Sequence, residues 1–285
     1  MIMKLRRQIA FSRVFLLLFL TVTGLFMLLP IIFLFNHAFK PLNELFLFPP
    51  TIFVKEPTWR NFEQLLLHSS AGVVPFTRYL FNSVVVALVS VTAVVLGSTM
   101  AGYVLSKHRF PFKATIMSLI MVSLMFAPET VQIPRYLIIS GLGLTNTYFA
   151  HVLPFIASPV AVFLMKQFID QIPNALTEAA KLDGASELYI FMRIITPLTA
   201  PAVATVSIIT FQVVYLDVES STLYMTKETM KTLAYYATSL TQNVPGVAAT
   251  SIAAAVGLLM FLPNLIMFLL FQRKMIQTML HSGVK

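Results

Sequence analysis

Not one of the 285 residues is cysteine, which excludes disulfides, thiolate metal sites and a cysteine nucleophile. Charge is nearly as scarce. Charged residues make up 11% of the chain and hydrophobic ones 58%, where a soluble domain carries roughly 25% charged residues, so the composition is that of a polytopic membrane protein. None of the ten glycines is followed by lysine; the Gly-Lys step of a phosphate-cradling loop is missing, and any ATP is bound elsewhere. Neither Gly-x-Ser-x-Gly nor His-Glu-x-x-His occurs, which removes the signatures of an intramembrane hydrolase. His37, His68, His108, His151 and His281 are scattered without metal-ligand spacing and read as structural or interfacial residues.

What the chain has in abundance is long apolar runs. A helical span needs roughly 20 mostly apolar residues, because a helix satisfies its own backbone hydrogen bonds in lipid. Six segments qualify, at about 14–35, 79–105, 112–133, 145–165, 196–216 and 247–271. The third and fourth are interrupted by Pro128, Pro134, Pro154 and Pro159; interior prolines are tolerated where neighbours or cavity water satisfy the freed carbonyls, so these two either line a path or are simply kinked. The first span follows Lys4, Arg6, Arg7 and Arg13; its apolar run is long and no small-residue cleavage site follows, so it reads as a retained signal anchor.

Lysine and arginine set the expected orientation. With the amino terminus inside, thirteen of the twenty basic residues and only four of the eleven acids fall on the inner side, leaving seven of each outside. The pI of 9.8 then follows from topology and contact with anionic lipid, and no nucleic-acid partner is called for. The expected layout is a cytoplasmic amino terminus over 1–13, a six-helix membrane domain over 14–271 with an inner loop at 166–195, and a cytoplasmic tail over 272–285. Outer loops run near 36–78 and 217–246.

The inner loop holds the one polar helix that stands out. Pro173 and Asn174 announce a helix start, Asn174 as a cap and proline as a first-turn residue, and Gly184 can take the left-handed conformation that ends one. The helix expected over about 175–183 is too short to be stable in water without a surface to pack on. Ala175, Ala179, Leu182 and Ser186 share a face, with Ala180 beside them and Glu178 and Asp183 at its rim. A membrane-surface helix would favour Lys, Arg and bulky apolar residues; this one is acidic and small-residued, which favours docking on a soluble protein over lying against the headgroups.

At this point a resemblance becomes specific. Glu178-Ala179-Ala180, three residues, Gly184, nine residues, then Ile194-Ile195-Thr196-Pro197 resembles the EAA loop of ABC importer permeases, with Thr196 where leucine is usual. Lys40-Pro41 with Glu44, Pro49-Pro50, Trp59-Arg60-Asn61-Phe62, Asn82-Ser83, Ala101-Gly102-Tyr103, Phe110-Pro111, Gly141-Leu142-Gly143-Leu144-Thr145-Asn146-Thr147-Tyr148, Ile172-Pro173 and Asp183-Gly184-Ala185-Ser186 are similar to the carbohydrate branch of that family, the smaller maltose-type subunit, over nearly the whole chain. A departure lies at the end of the fifth span: Phe211-Gln212-Val213-Val214-Tyr215-Leu216-Asp217 stands where relatives carry a Trp-Asn pair.

The resemblance implies an all-α type I permease fold in a bacterial inner membrane, with both termini cytoplasmic and no covalent chemistry of its own. It implies a homologous second permease subunit, two ATPase subunits that hold ATP and magnesium, and an extracytoplasmic sugar-binding protein that delivers the substrate. Coupling to the ATPases falls to Glu178, Ala179, Ala180, Asp183 and Gly184. Gln212, Tyr215 and Asp217 offer hydrogen-bonding groups beside an aromatic face, the chemistry of a sugar path. Tyr235 and Tyr236 either meet the binding protein or anchor in the interface. The competing class is an ion-coupled secondary carrier, for which only Glu129 and Asp217 lie near span interiors and no internal repeat is visible.

Overall fold

A computed structural model of the chain describes residues 2–45, 47, 51, 53–71, 74–243 and 247–282, and within them the side chains of 13–66, 74–240 and 251–275. Pro49-Pro50 and Lys285, like the side chains of Lys4, Arg6 and Arg7, lie outside that description. The described residues form helices and loops, without a strand. The helices are α1 (Ile2–Ala38), α2 (Leu42–Leu45), α3 (Arg60–Ala71), α4 (Phe76–Lys107), α5 (Lys113–Ser123), α6 (Gln132–Gly141), α7 (Tyr148–Ile156), α8 (Pro159–Asp170), α9 (Asn174–Leu182), α10 (Glu187–Ile190), α11 (Thr196–Leu198), α12 (Ala200–Tyr215), α13 (Glu219–Tyr224), α14 (Leu233–Asn243) and α15 (Val247–Ser282).

Three stretches are long and apolar enough to cross a membrane unbroken: Arg13–Ala38, Phe76–Lys107 and Ser251–Met275. Three more reach that length as bent pairs, α5 with Pro128–Gly141 at 109°, α7 with α8 at 45°, and Glu187–Leu198 with α12 at 76°, giving up to six spans. Proline explains the breaks. Pro128 opens the 3-10 turn Pro128–Val131, Pro159 occupies the first turn of α8, and Pro201 that of α12, positions where a missing N–H is harmless but the preceding helix cannot continue. The sharp bend at Thr199 is not anticipated by the reading of 196–216 as a continuous span.

The chain falls into two compact units, Met1–Ala71 with Ser239–Leu259, and Gly72–Thr238 with Met260–Lys285. In the first, Val14 to Leu29 of α1 present their apolar side chains outward, as expected where lipid is the solvent. The loop after α1 is fixed by polar bonds. Asn61 Nδ2 donates to the carbonyls of Ala38 and Lys40, each at 2.9 Å, and Lys40 Nζ donates to Thr51 O at 2.6 Å. The Glu44 carboxylate accepts from the amides of Lys55 and Glu56 at 2.8–3.2 Å. Desolvation works against its charged form, but those amides and the charges of Lys40 and Lys55 outweigh it and hold the carboxyl below its ordinary range. Phe39 packs edge-on to Trp59 at 5.0 Å.

The second unit is organised on α4. Val94 from α4, Ala161 and Met165 from α8, and Ala202 and Val206 from α12 form a fully desolvated cluster. Closer to the end of α4, Gly102 lets the two backbones meet: a Cβ there would lie 3.0 Å from Lys166 N and from Met165 Cβ. A second cluster, Tyr103, Ile169, Ile190 and Ile195 with Ala180 and Ile172 against it, ties the base of α4 to the segment carrying α9. Between α10 and α11 the helix widens into a π-helical turn, Phe191–Ile195. Thr196 closes it, because its hydroxyl donates to Phe191 O at 2.8 Å alongside the Thr196 amide.

Candidate functional site

The helix α9 runs over Asn174–Leu182 and is held from behind. Asn174 is its first residue and not a cap: its Oδ1 accepts from Lys107 Nζ at 2.9 Å, and Lys107 also donates to Ile172 O. The N-cap position is Pro173, whose side chain offers no capping bond, so Lys107 from the end of α4 fixes the helix entry instead. At the other end Gly184 has φ +80°, the left-handed conformation. The Gly184 amide donates to Lys181 O at 3.0 Å and the Ala185 amide to Ala180 O at 2.9 Å, which satisfies the last carbonyls of the helix.

Glu187 is the second clamp. Its carboxylate pairs with Lys181 at 2.5 Å, accepts from the Tyr103 hydroxyl at 2.7 Å and lies 3.7 Å from His108 Nε2, so one side chain joins α9, α10 and the end of α4. Asp170, at the end of α8, accepts from Ser106 Oγ and Lys166 Nζ, each at 2.5 Å. Thr177 and Ala180 face this support. Glu178, Ala179, Leu182, Asp183 and Gly184 are exposed on the other side, Leu182 to 90%, and neither Glu178 nor Asp183 has an ion pair among the described residues. Beside them a cavity of about 640 Å³ is lined by Ala180, Asp183, Gly184, Ser186, Tyr189 and Arg193. The structure therefore brings together the five residues that the motif singles out, with Ala180 turned toward the support. Sequence reasoning missed Lys107, Tyr103 and Glu187, whose pairings to and from α4 join residues 65 to 84 positions apart.

The three residues at the end of α12 separate. Gln212 is exposed. Tyr215 is buried, stacks on Phe211 at 5.2 Å, and its hydroxyl has no hydrogen-bond partner among the described residues. Asp217, beyond the helix end, lines a cavity of about 400 Å³ with Arg135, Phe155, Ser158, Thr210 and Glu219. Burial pushes the Asp217 carboxyl up, and its bonds to Ser220 and the charge of Arg135 offset this only in part. Arg135 faces Glu219 at 3.5 Å. Glu129 sits exposed in the 3-10 turn before α6. Tyr236 stacks on Tyr79 at 4.8 Å, whereas Tyr235 accepts from Lys231 Nζ at 2.9 Å. No group of three or more His, Asp or Glu side chains is placed to hold a metal among the described residues.

The chain is similar to known proteins in sequence and in fold. The arabinooligosaccharides transport system permease protein AraQ of Bacillus subtilis (strain 168) is 30% identical over 98% of this chain and 98% of its own length. The galactooligosaccharides transport system permease protein GanQ of the same organism is 29% identical over 99% and 98%. Among solved structures, a bacterial ABC transporter involved in the import of the acidic polysaccharide alginate superposes with a TM-score of 0.75 at 20% identity, covering 92% of this chain and 96% of that one, a likeness of fold. A family model for the binding-protein-dependent transport system inner membrane component matches residues 93–276. With α9 and its clamps inside that match, the chain belongs to this family, the membrane-spanning permease subunits of ABC importers.

Proposed function

We propose that the chain moves an oligosaccharide into the cytoplasm by alternating access, coupled through α9 to separate ATPase subunits. The observation that carries this reading is α9 itself, fixed to α4 by Lys107 and Glu187 while Glu178, Ala179 and Asp183 stay open. A short helix clamped to a long one transmits a push as a rigid body. In this reading Glu178 pairs with a basic residue in the ATPase groove, Ala179 permits close approach, and Gly184 sets the turn. ATP and magnesium belong to the ATPase pair, and the chain has no nucleotide site of its own. Saccharide specificity is supported by the relatives named for arabinooligosaccharides and galactooligosaccharides. A second permease subunit completes the membrane pore. An extracytoplasmic binding protein is supported by the solved alginate transporter in complex with a pentasaccharide-bound periplasmic protein. Both termini are cytoplasmic, and Gln212, Tyr215 and Asp217 lie along the sugar path.

The test is co-expression with the genomic neighbours and affinity purification from detergent. An ATPase and a second permease co-purify with the wild-type chain, and Glu178→Lys releases the ATPase and abolishes uptake while the protein remains inserted. Wild-type uptake by Glu178→Lys overturns the coupling role. Sugar transport by the chain alone in liposomes without ATP makes it a secondary carrier instead.

A further inference from the structure

Where α12 gives way to α13, four groups from separate segments form one chain of polar contacts. His151, on α7, is fully buried. Its Nε2 lies 2.9 Å from Met230 O and its Nδ1 2.7 Å from Ser220 Oγ. Ser220 Oγ in turn contacts Asp217 Oδ2. Each such contact between electronegative atoms needs one proton lying between them. A carbonyl only accepts, so Nε2 carries hydrogen. A neutral imidazole has one ring proton, serine has one and a carboxylate has none, which leaves two protons for three contacts.

The chain closes only when it takes up a third. That proton can sit on Asp217, which then donates to Ser220, which donates to His151. Alternatively it sits on His151 Nδ1, which donates to Ser220, which donates to the Asp217 carboxylate. Both arrangements leave the trio with no net charge. Without the extra proton one contact becomes a meeting of two lone pairs: when Ser220 donates to the Asp217 carboxylate and the single ring proton sits on Nδ1 to donate to Ser220, Nε2 is left bare against Met230 O, in a site where the imidazole has no access to water to replace that bond. We infer that Asp217, Ser220 and His151 form a proton-binding site that, when occupied, fastens the 3-10 turn Glu228–Met230 to α7 and α13.

The surroundings fit a site of this kind. Burial disfavours the ionised Asp217 carboxyl. Arg135 on α6 faces Glu219 at 3.5 Å, Lys231 pairs with Glu228 at 2.9 Å, and Arg78 on α4 donates to Thr229 O at 3.1 Å; Tyr224 on α13 is the other titratable group beside Arg135 and Asp217. Asn82 donates to Thr229 O and Lys231 O at 2.9 and 2.8 Å. Those bonds hold the turn from the α4 side independently of pH, and the proton site holds it from the α7 side. Because the fastened state contains the extra proton, it is favoured at low pH and released as pH rises.

The test is hydrogen exchange at the amides of Met230, Lys231 and Thr232, which donate to Lys227 O, Glu228 O and Ser221 Oγ, in the full chain within its transporter complex in lipid nanodiscs. After correction for intrinsic exchange, wild-type protection falls roughly fivefold between about pH 6 and about pH 9, the weight of one hydrogen bond. Asp217→Asn carries its own amide proton for Ser220 and keeps wild-type low-pH protection across the range. His151→Ala is poorly protected throughout. Wild-type protection that does not vary with pH, or Asp217→Asn following the wild-type fall, overturns the proposal, and that comparison stands even where His151→Ala fails to insert. None of these outcomes depends on the identity of the transported sugar or on α9.

Discussion

Gly102 shows how a single missing methyl sets the distance between two spans. Its absent Cβ would stand 3.0 Å from the backbone nitrogen of Lys166, an atom fixed inside α8. In an open helix, glycine to alanine gains up to about 1 kcal/mol of propensity; overpacking against a rigid backbone costs about 1–3 kcal/mol. The clash wins, and Gly102→Ala is expected to lower the melting temperature of the purified protein in detergent, with Gly97→Ala, where a Cβ meets nothing within 4 Å, unchanged or slightly raised. Residue chemistry was legible in the sequence wherever it is local. Gly184 reads as a left-handed helix end from its neighbours alone, and φ +80° is what the backbone adopts. Asn174 was misread for the same reason: its neighbours make it a cap, while Lys107, 67 positions away, makes it an acceptor.

At the scale of the element, α9 is a helix whose position is set by two side chains from elsewhere. Glu187 gathers Lys181, Tyr103 and His108, and Lys107 binds Ile172 O and Asn174. Glu187→Gln removes the charge that Lys181 faces, and Lys107→Ala removes both anchors of the helix entry. The double variant is expected to stay inserted but to show faster proteolysis within 170–187 and uptake reduced at least about tenfold while ATPase turnover persists, a loss of about 1.4 kcal/mol or more in coupling. Unchanged uptake with unchanged proteolysis would show that the hydrophobic cluster around Ile190 and Ile195 holds α9 by itself. Such clamps are not visible in a single sequence, because hydrophobic periodicity reports faces and not the partners that meet across them. The bend at Thr199 escaped for a related reason. Apolar composition runs straight through it, and only Pro197 and Pro201 mark the place.

For the whole molecule, the apolar runs alone place the three unbroken spans to within about four residues at each end, because lipid imposes a length that composition must meet, while the bent pairs run past the expected bounds, to Gly141 at the end of the third and from Glu187 at the start of the fifth. How each run is divided is set by proline and by packing, so three of the six are bent pairs. Orientation can be tested cleanly, since the chain lacks cysteine and any introduced thiol is the sole one. In intact cells Lys227→Cys is expected to react with a membrane-impermeant maleimide, and Lys181→Cys only after lysis. The reverse pattern would invert the orientation read from the lysine and arginine distribution and place α9 away from any cytoplasmic partner.

The π-helical turn Phe191–Ile195 carries one residue more than an α-helix of the same rise would hold. Each residue of an α-helix turns the chain by about 100°, so that single insertion sets the rotational phase of α10 against α11 within the stretch Glu187–Leu198. Glu187, which reaches Tyr103 and Lys181, lies on the near side of that insertion and α11 on the far side, before the bend of 76° that redirects α12. The turn acts as a vernier: a chain one residue shorter there would rotate Glu187 by about 100° relative to α11 and turn it away from Tyr103 and Lys181.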